Sequence, residues 1–166
     1  DPNSISYNSI IYIFEDSLNA IWLGTFEGGI NRFDPETKEF SFIGAIGDVE
    51  FGSIYGIEES DPGSSKPEDI HLWLTSPVGL YSYYPYQEKV ELITGQDGLQ
   101  GNIFNPAAIY KSMSGELLFG GSNGFNIFDP DKLHTNEVQA PIVFTDFQIN
   151  LKPVEITPDG PLTTSI

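Results

Sequence analysis

The stretch EDSLNAIWLGTFEGGINRFDP, residues 15–35, decides the fold because variants of it occur twice more along the chain. The second copy is split between IYGIEES, residues 54–60, and HLWLTSPVGLYSYYP, residues 71–85. The third copy is AIYKSMSGELLFGGSNGFNIFDP, residues 108–130. A catalytic loop occurs once, whereas a structural unit tends to recur, so the quoted stretch is interpreted as one copy of a structural repeat.

All copies share one order of apolar runs and turns. An apolar run leads into a polar turn, and a short second run then reaches a glycine turn. A third run follows and ends at a proline. Runs of this length, rich in Ile, Phe, Tyr and Trp and bounded by Gly, Asn, Asp and Pro, are typical of strands. The repeat positions are Trp22, Gly29 and Pro35, then Trp73, Gly79 and Pro85, then Gly124 and Pro130.

The spacing of the copies predicts an all-β fold, a partial β-propeller. Trp22 and Trp73 are about 51 residues apart, within the range of four-stranded propeller blades. Fourth strands are predicted at residues 39–43 and 89–93. The predicted blades cover residues 5–44, 48–94 and 97–135, and each tryptophan is expected to pack between neighbouring sheets. Because propellers usually have about 4–8 blades, either further blades lie outside the chain or the open faces contact another chain.

The repeat stops near residue 135, where NEVQAP breaks the pattern. Residues 136–166 are predicted to form a linker and the start of a following, truncated β-sandwich-like domain. Within them, IVFTDFQINLKPVEI, residues 142–156, is either the outer strand of the third blade or the first strand of that next domain.

The composition excludes several classes of function. The chain has 7 Lys plus Arg against 24 Asp plus Glu, a net charge of −17, which opposes binding to nucleic acid or to an anionic membrane. Cysteine is absent, so disulfide and thiolate chemistry are excluded. No apolar run reaches the roughly 18 residues of a membrane span. The start at Asp1 favours an excised piece of a longer protein.

No residue pattern indicates catalysis, a metal or a cofactor, and none is predicted. His71 and His134 share no metal-ligand spacing. The adjacent carboxylates Glu15–Asp16 and Glu58–Glu59 occupy equivalent repeat positions. Carboxylate pairs serve glycoside hydrolysis, but their recurrence at a strand end favours solvated hairpins.

The segment I-x-E-D-x-x-N-x-I-W-L-G-T-x-x-G-G-I-N-R-F-D-P resembles the regulator-propeller repeat of hybrid two-component sensors in Bacteroidetes. Asn19 stands where that repeat usually has glycine, and Asn also tolerates left-handed turns. Residues 97–133 resemble the last propeller blade of these sensors. Residues 141–154 resemble the entry to the immunoglobulin-like domain that follows it.

The resemblance implies a periplasmic sensor segment of a hybrid two-component histidine kinase that responds to oligosaccharides and controls polysaccharide-utilisation genes. The kinase domain and the membrane helix would lie outside these residues. The expected partners are an oligosaccharide, the remaining blades, the immunoglobulin-like domain, and a second receptor chain in a homodimer. The strand at residues 141–154 would link the propeller mechanically to the membrane.

Ligand-binding residues are expected in the turns at one end of the blades, where aromatic, amide and carboxylate groups suit sugars. The candidates are Phe26, Glu27, Asn31, Arg32, Pro77, Ser122 and Asn123. Two other functions stay open at this point: a propeller-type glycosidase or lyase, and a protein-interaction scaffold that binds no sugar.

Overall fold

The computed structural model describes residues 4–60 and 66–133, together with the backbone of residues 148–149 and 152–153. The chain divides into two compact units, Asp1–Leu133 and His134–Ile166.

The first unit consists of three antiparallel sheets in chain order, each a meander in which neighbouring strands pair. The first sheet contains β1 (Ile10–Glu15), β2 (Ile21–Thr25), β3 (Ile30–Phe33) and β4 (Phe40–Ile43). A small hairpin, β5 (Ala45–Ile46) and β6 (Val49–Glu50), precedes the second sheet. The second sheet contains β7 (Gly56–Glu59), β8 (Leu72–Thr75), β9 (Leu80–Tyr84) and β10 (Lys89–Ile93). The third sheet contains β11 (Phe104–Lys111), β12 (Leu117–Gly121) and β13 (Gly124–Phe128).

Three short 3₁₀ helices lie in the connections of this unit, at Pro67–Asp69, Gly95–Asp97 and Pro130–Lys132. The predicted all-β architecture of stacked meanders is confirmed, and the fourth strands β4 and β10 lie where the sequence predicts them. The third sheet differs from the prediction, because it has three strands within the described residues.

Repeat glycines have the backbone conformation that the turns require. Gly29 and Gly79, which precede the third strand of the first and second sheets, have φ of 61° and 155°. A side chain at these positions would also collide with a carbonyl of the fourth strand, since a Cβ would lie 2.7 Å from Ile43 O and 2.5 Å from Ile93 O. Asn19 has a φ of 63°, so it adopts the left-handed conformation expected of it.

The hydrophobic core lies between the sheets. Between the first two sheets, Trp22 is buried and meets the ring of Tyr83 edge-on, with 6.2 Å between centroids. Between the second and third sheets, Trp73 packs against Phe128 with 4.9 Å between centroids. The two tryptophans therefore bridge neighbouring sheets, as the repeat predicts. Burying a large aromatic side chain in this way contributes on the order of 2–3 kcal/mol.

The second unit contains a two-stranded hairpin, β14 (Gln148–Ile149) paired with β15 (Lys152–Pro153). The sequence predicts the first strand or strands of a following domain in this region, and the two short strands described there pair antiparallel. The rest of that region lies outside the described residues.

Candidate functional site

A shallow groove of about 670 Å³ lies along the segment that leads into β1. Its described lining is Ile5, Ser6, Tyr7, Asn8 and Ser9. The Phe26 ring lies beside the groove, 6.4 Å from the ring of Tyr7. Both rings are partly exposed, Tyr7 at 41% and Phe26 at 42%. The groove thus has one partly exposed aromatic ring in its lining, with serine and asparagine side chains, and a second partly exposed ring beside it.

The groove wall is held by hydrogen bonds to the first sheet. Asn31 is fully buried, its Oδ1 accepts from the Ser6 backbone N–H at 3.0 Å, and its Nδ2 donates to Ser6 Oγ at 2.8 Å. Ser6 Oγ donates in turn to Gly28 O at 2.6 Å. The Phe26 backbone N–H donates to Ser9 O at 2.9 Å. These bonds fix the segment that carries Tyr7 against the turn that carries Phe26.

In each of the three sheets a turn joins the second strand to the third. All three turns lie at the same end of the unit, beside the segments that lead into the first strand of a sheet. The Ile54 N–H donates to Thr25 O at 3.0 Å, and the Phe104 N–H donates to Ser76 O at 3.2 Å. The Ser122 N–H donates to Ile103 O at 3.2 Å. The structure therefore places five of the predicted candidates in turns at this end: Phe26, Glu27, Pro77, Ser122 and Asn123.

Asn31 and Arg32 do not belong to that exposed set of turn residues. Asn31 is buried beneath the groove, and Ser6 occupies its amide group. The Arg32 guanidinium lies over the rings of Trp22 and Tyr86, at 5.9 Å and 5.5 Å from their centroids, and donates to Tyr86 Oη at 3.2 Å. Arg32 therefore links the first two sheets, while Asn31 shapes the groove from below.

The interpretation of the carboxylate pairs as solvated hairpins is wrong for two of the four acids. Asp16 is 3% exposed and Glu59 is 5% exposed. Asp16 Oδ2 accepts from Trp22 Nε1 at 2.8 Å, and its Oδ1 accepts from the backbone N–H groups of Leu18 and Ala20, each at 2.9 Å. Because a buried carboxylate needs several donors, the sheet supplies three here.

Glu59 is the acceptor of a bond between sheets. Its Oε2 accepts from the Ser17 backbone N–H at 2.8 Å, and its Oε1 accepts from Ser17 Oγ at 2.7 Å. On the other side, Lys111 of β11 donates from Nζ to Glu59 O at 3.0 Å. Burial is the main cause that raises the pKa of the neighbouring Glu58 carboxyl. Glu59 thus links the first and second sheets through its carboxylate, and its backbone carbonyl links the second sheet to the third.

His71 lies in a buried chain of hydrogen bonds within the second sheet. Trp73 Nε1 donates to Ser60 Oγ at 2.7 Å, Ser60 Oγ is 3.2 Å from His71 Nδ1, and His71 Nε2 is 2.8 Å from Ser82 Oγ. In the tautomer that carries its hydrogen on Nε2, Ser60 donates to Nδ1 and Nε2–H donates to Ser82 Oγ. Burial, aided by the charge of Lys89, lowers the pKa of His71 to about 4, so the imidazole is neutral at pH 7.

Sequence reasoning missed Tyr7 and Asn8, the side chains that make the groove distinctive. They precede the first apolar run, where no repeat position marks them, and their proximity to Phe26 is a tertiary contact. His134 lies outside the described residues. In the parts of the chain that the structure describes, no three His, Asp or Glu side chains form a group suited to a metal ion. No helix among those residues is both long and apolar enough to cross a membrane.

The chain is similar to known sensor proteins. It is 30% identical over 164 residues to a protein named histidine kinase P4 from Formosa agariphila, a match that covers 99% of this chain and 11% of that protein. Its fold matches the extracellular domain of a hybrid two-component system from B. thetaiotaomicron with a TM-score of 0.63 and 19% identity. That match covers 79% of this chain and 17% of the other.

A further extracellular domain from B. thetaiotaomicron, of a protein described as a one-component system, matches with a TM-score of 0.62 and 22% identity. This match covers 76% of this chain and 18% of that one. The chain has the fold of these extracellular domains. The predicted resemblance to two-component sensors is thereby confirmed. No family model matches the chain. The chain spans between about a tenth and a fifth of the length of these relatives.

Proposed function

We propose that this chain is a ligand-binding, non-catalytic part of the periplasmic region of a hybrid two-component histidine kinase, and that its ligand is an oligosaccharide. The groove beside Tyr7 and Phe26 carries the proposal. Sugar rings present apolar C–H faces and polar hydroxyl edges. Exposed aromatic rings suit the faces, and the neighbouring hydroxyl and amide groups of Ser9 and Asn8 suit the edges.

The acids in the chain support binding over hydrolysis. Asp16 and Glu59 are already used as acceptors, by Trp22 and by Ser17. A glycosidase needs two carboxyl groups that flank one glycosidic bond. Ligand binding would shift the receptor between two arrangements that have different affinity for the ligand. That shift would control polysaccharide-utilisation genes.

Calorimetric titration with a panel of defined oligosaccharides, with product analysis on the same samples, tests the proposal. We expect saturable binding without turnover. Tyr7→Ala and Phe26→Ala are each expected to weaken the affinity about tenfold, because each removes an aromatic surface worth about 1.4 kcal/mol.

Tyr110→Ala is the matched control, since Tyr110 is a similarly exposed aromatic residue of β11 that lies beside Lys111, away from the groove. Its affinity is expected to equal that of the unchanged chain. Turnover of an oligosaccharide would contradict the proposal in favour of an enzyme. Equal losses in all three variants would show that the groove is not the site.

A further inference from the structure

The charged side chains of the first unit are unevenly distributed between its two ends. We call the end that carries the turns between second and third strands the groove end, since the groove beside Tyr7 and Phe26 lies there. Every described Lys and Arg of the first unit lies in the half of a strand away from that end, or in a connection at the opposite end. These residues are Arg32, Lys38, Lys66, Lys89, Lys111 and Lys132.

The charges described at the groove end are all negative. They belong to Glu27 in the turn after β2, Asp48 and Glu50 in the β5–β6 hairpin, and Asp97 after β10. All of these side chains are exposed, and no Lys or Arg among the described residues of the groove end offsets them. An anion that approaches the groove is therefore repelled by carboxylates and attracted by no described basic side chain.

Glu27 is the acid that lies closest to the groove along the chain. It directly follows Phe26, whose ring lies beside the groove. It directly precedes Gly28, which touches the groove wall so closely that a Cβ there would lie 2.5 Å from Tyr7 Cβ and 3.0 Å from Ser6 Oγ. An exposed carboxylate is thus carried by the turn that borders the groove.

Hydrogen bonds fix the backbone from which the Glu27 side chain extends. The Glu27 N–H donates to Ser53 Oγ at 3.0 Å, and the preceding Phe26 N–H donates to Ser9 O at 2.9 Å. Glu27 itself has a φ of 58°, in the left-handed region where residues other than glycine are uncommon. Because the turn is held from two sides, the carboxylate stays within side-chain reach of one point beside the groove. A charge placed in this way can discriminate between ligands by repulsion.

We infer that the groove binds a neutral oligosaccharide, and that Glu27 excludes oligosaccharides that carry carboxylate or sulfate groups. This inference rests on the proposed function of the groove. A carboxylate accepts hydrogen bonds only, and the hydroxyl groups of a neutral sugar can donate them. A uronate or a sulfate would instead place a second negative charge beside Glu27, at an end where the described residues provide no basic side chain.

The test uses pairs of tetrasaccharides that differ in charge. Mannotetraose and cellotetraose are each matched with the tetrasaccharide of the same linkage whose primary alcohol groups are oxidised to carboxylates. Calorimetric titration of the whole chain is carried out with EDTA, so that no metal ion bridges the carboxylates of ligand and protein. We expect the neutral member of a pair to bind at least about tenfold more tightly than its oxidised counterpart.

Glu27→Gln tests the role of the carboxylate, because it removes the charge and keeps the size of the side chain. We expect it to narrow the preference for the neutral member at least about threefold, mainly by strengthening the binding of the oxidised member. Glu36→Gln is the matched control, since it removes the same charge from an exposed side chain at the opposite end. Its preference should equal that of the unchanged chain.

Salt provides a second measurement that needs no substitution. Raising its concentration from about 0.01 M to about 1 M shortens the screening length from about 30 Å to about 3 Å. The preference of the unchanged chain should therefore narrow with added salt, while that of Glu27→Gln should change less.

The outcomes separate this inference from the proposed function. An oxidised member that binds as tightly as its neutral counterpart would overturn the inference, although the groove would still be a sugar site. A preference that Glu27→Gln leaves unchanged, or that Glu36→Gln narrows equally, would overturn the role of Glu27. Absence of binding by every member would contradict the proposed function, and the inference would fail with it.

Discussion

The two contacts between sheets have the same shape but different acceptors for the tryptophan N–H. In the first sheet, Trp22 donates to the carboxylate of Asp16, which also binds two backbone N–H groups. In the second sheet, Trp73 donates to the hydroxyl of Ser60, which also lies 3.2 Å from His71 Nδ1. A charged group with three donors holds one tryptophan, and a neutral chain of side chains holds the other.

The comparison shows which part of the repeat is constrained by packing. Both tryptophans must lie between sheets, since each fills the space beside aromatic rings of the next sheet. The acceptor only has to satisfy a buried N–H, which a carboxylate or a hydroxyl can do. The two contacts should therefore respond differently to mutation and to pH.

The largest expected difference comes from deleting the acceptors. Asp16→Ala should lower the free energy of unfolding by about 3–5 kcal/mol, because two buried donors and one partly buried donor lose their partner. Ser60→Ala should cost about 1–3 kcal/mol, because two neutral groups, Trp73 Nε1 and His71 Nδ1, lose their partner. Urea titration of both variants measures the two values. Equal losses would contradict the distinction between the charged and the neutral acceptor.

The titration of His71 acts on the second contact. The pKa of His71 is lowered from 6.5 to about 4 in the folded chain. Between these values the unfolded chain binds a proton that the folded chain excludes, so the stabilisation is complete above pH 6.5 and falls as the pH drops towards 4. The loss should be about 2–3 kcal/mol, since one pKa unit corresponds to about 1.4 kcal/mol.

The matched variant for the pH titration is His71→Gln, which keeps both hydrogen-bonding positions but cannot bind a proton. Subtracting its unfolding free energies from those of the unchanged chain cancels the titration of the carboxylates. A difference in unfolding free energy between the two chains that stays constant from pH 6.5 to pH 4 would contradict the assignment to His71.

Glu59 bonds to Ser17 through its carboxylate and to Lys111 through its backbone carbonyl, and the two contacts should differ in strength. Glu59→Ala removes both bonds to Ser17 at the first contact and should cost about 2 kcal/mol. Lys111→Ala removes one bond to a carbonyl at the second contact and should cost about 1 kcal/mol. The same urea titrations measure both. A larger loss for Lys111→Ala would reverse the proposed order of the two bonds.

The smallest expected effect concerns Arg32, which covers Trp22 and Tyr86 at the first contact. Arg32→Ala should cost about 0.5–1 kcal/mol, the usual contribution of an exposed cation that lies over aromatic rings. Glu36→Ala, an exposed change in the next turn, serves as the control and should leave stability unchanged. Loss of oligosaccharide binding in Arg32→Ala, without loss of stability, would return Arg32 to the ligand site.

The candidate site was only partly predictable from the sequence, because some of its residues come together through contacts between distant segments. Phe26 and Glu27 were identified because they lie in a repeat turn, and the structure leaves both exposed. Tyr7 lies outside the repeat, and Asn31 looks like an exposed strand residue until Ser6 is placed beside it. Pairings over 20 or more positions in the chain leave no periodic signal.

The sequence by itself determined the sheets, their order and the place of each tryptophan, because strand and turn preferences act over neighbouring residues and were repeated three times. Only the tertiary structure decided which groups became buried partners. Asp16 finds its three donors within its own sheet, two to six positions along the chain. Glu59, in contrast, reads as a solvated acid until the first turn of the preceding sheet comes together with it. Whether Glu59 faces water or a set of donors depends on a contact between distant segments, and that contact exists only after the sheets have stacked.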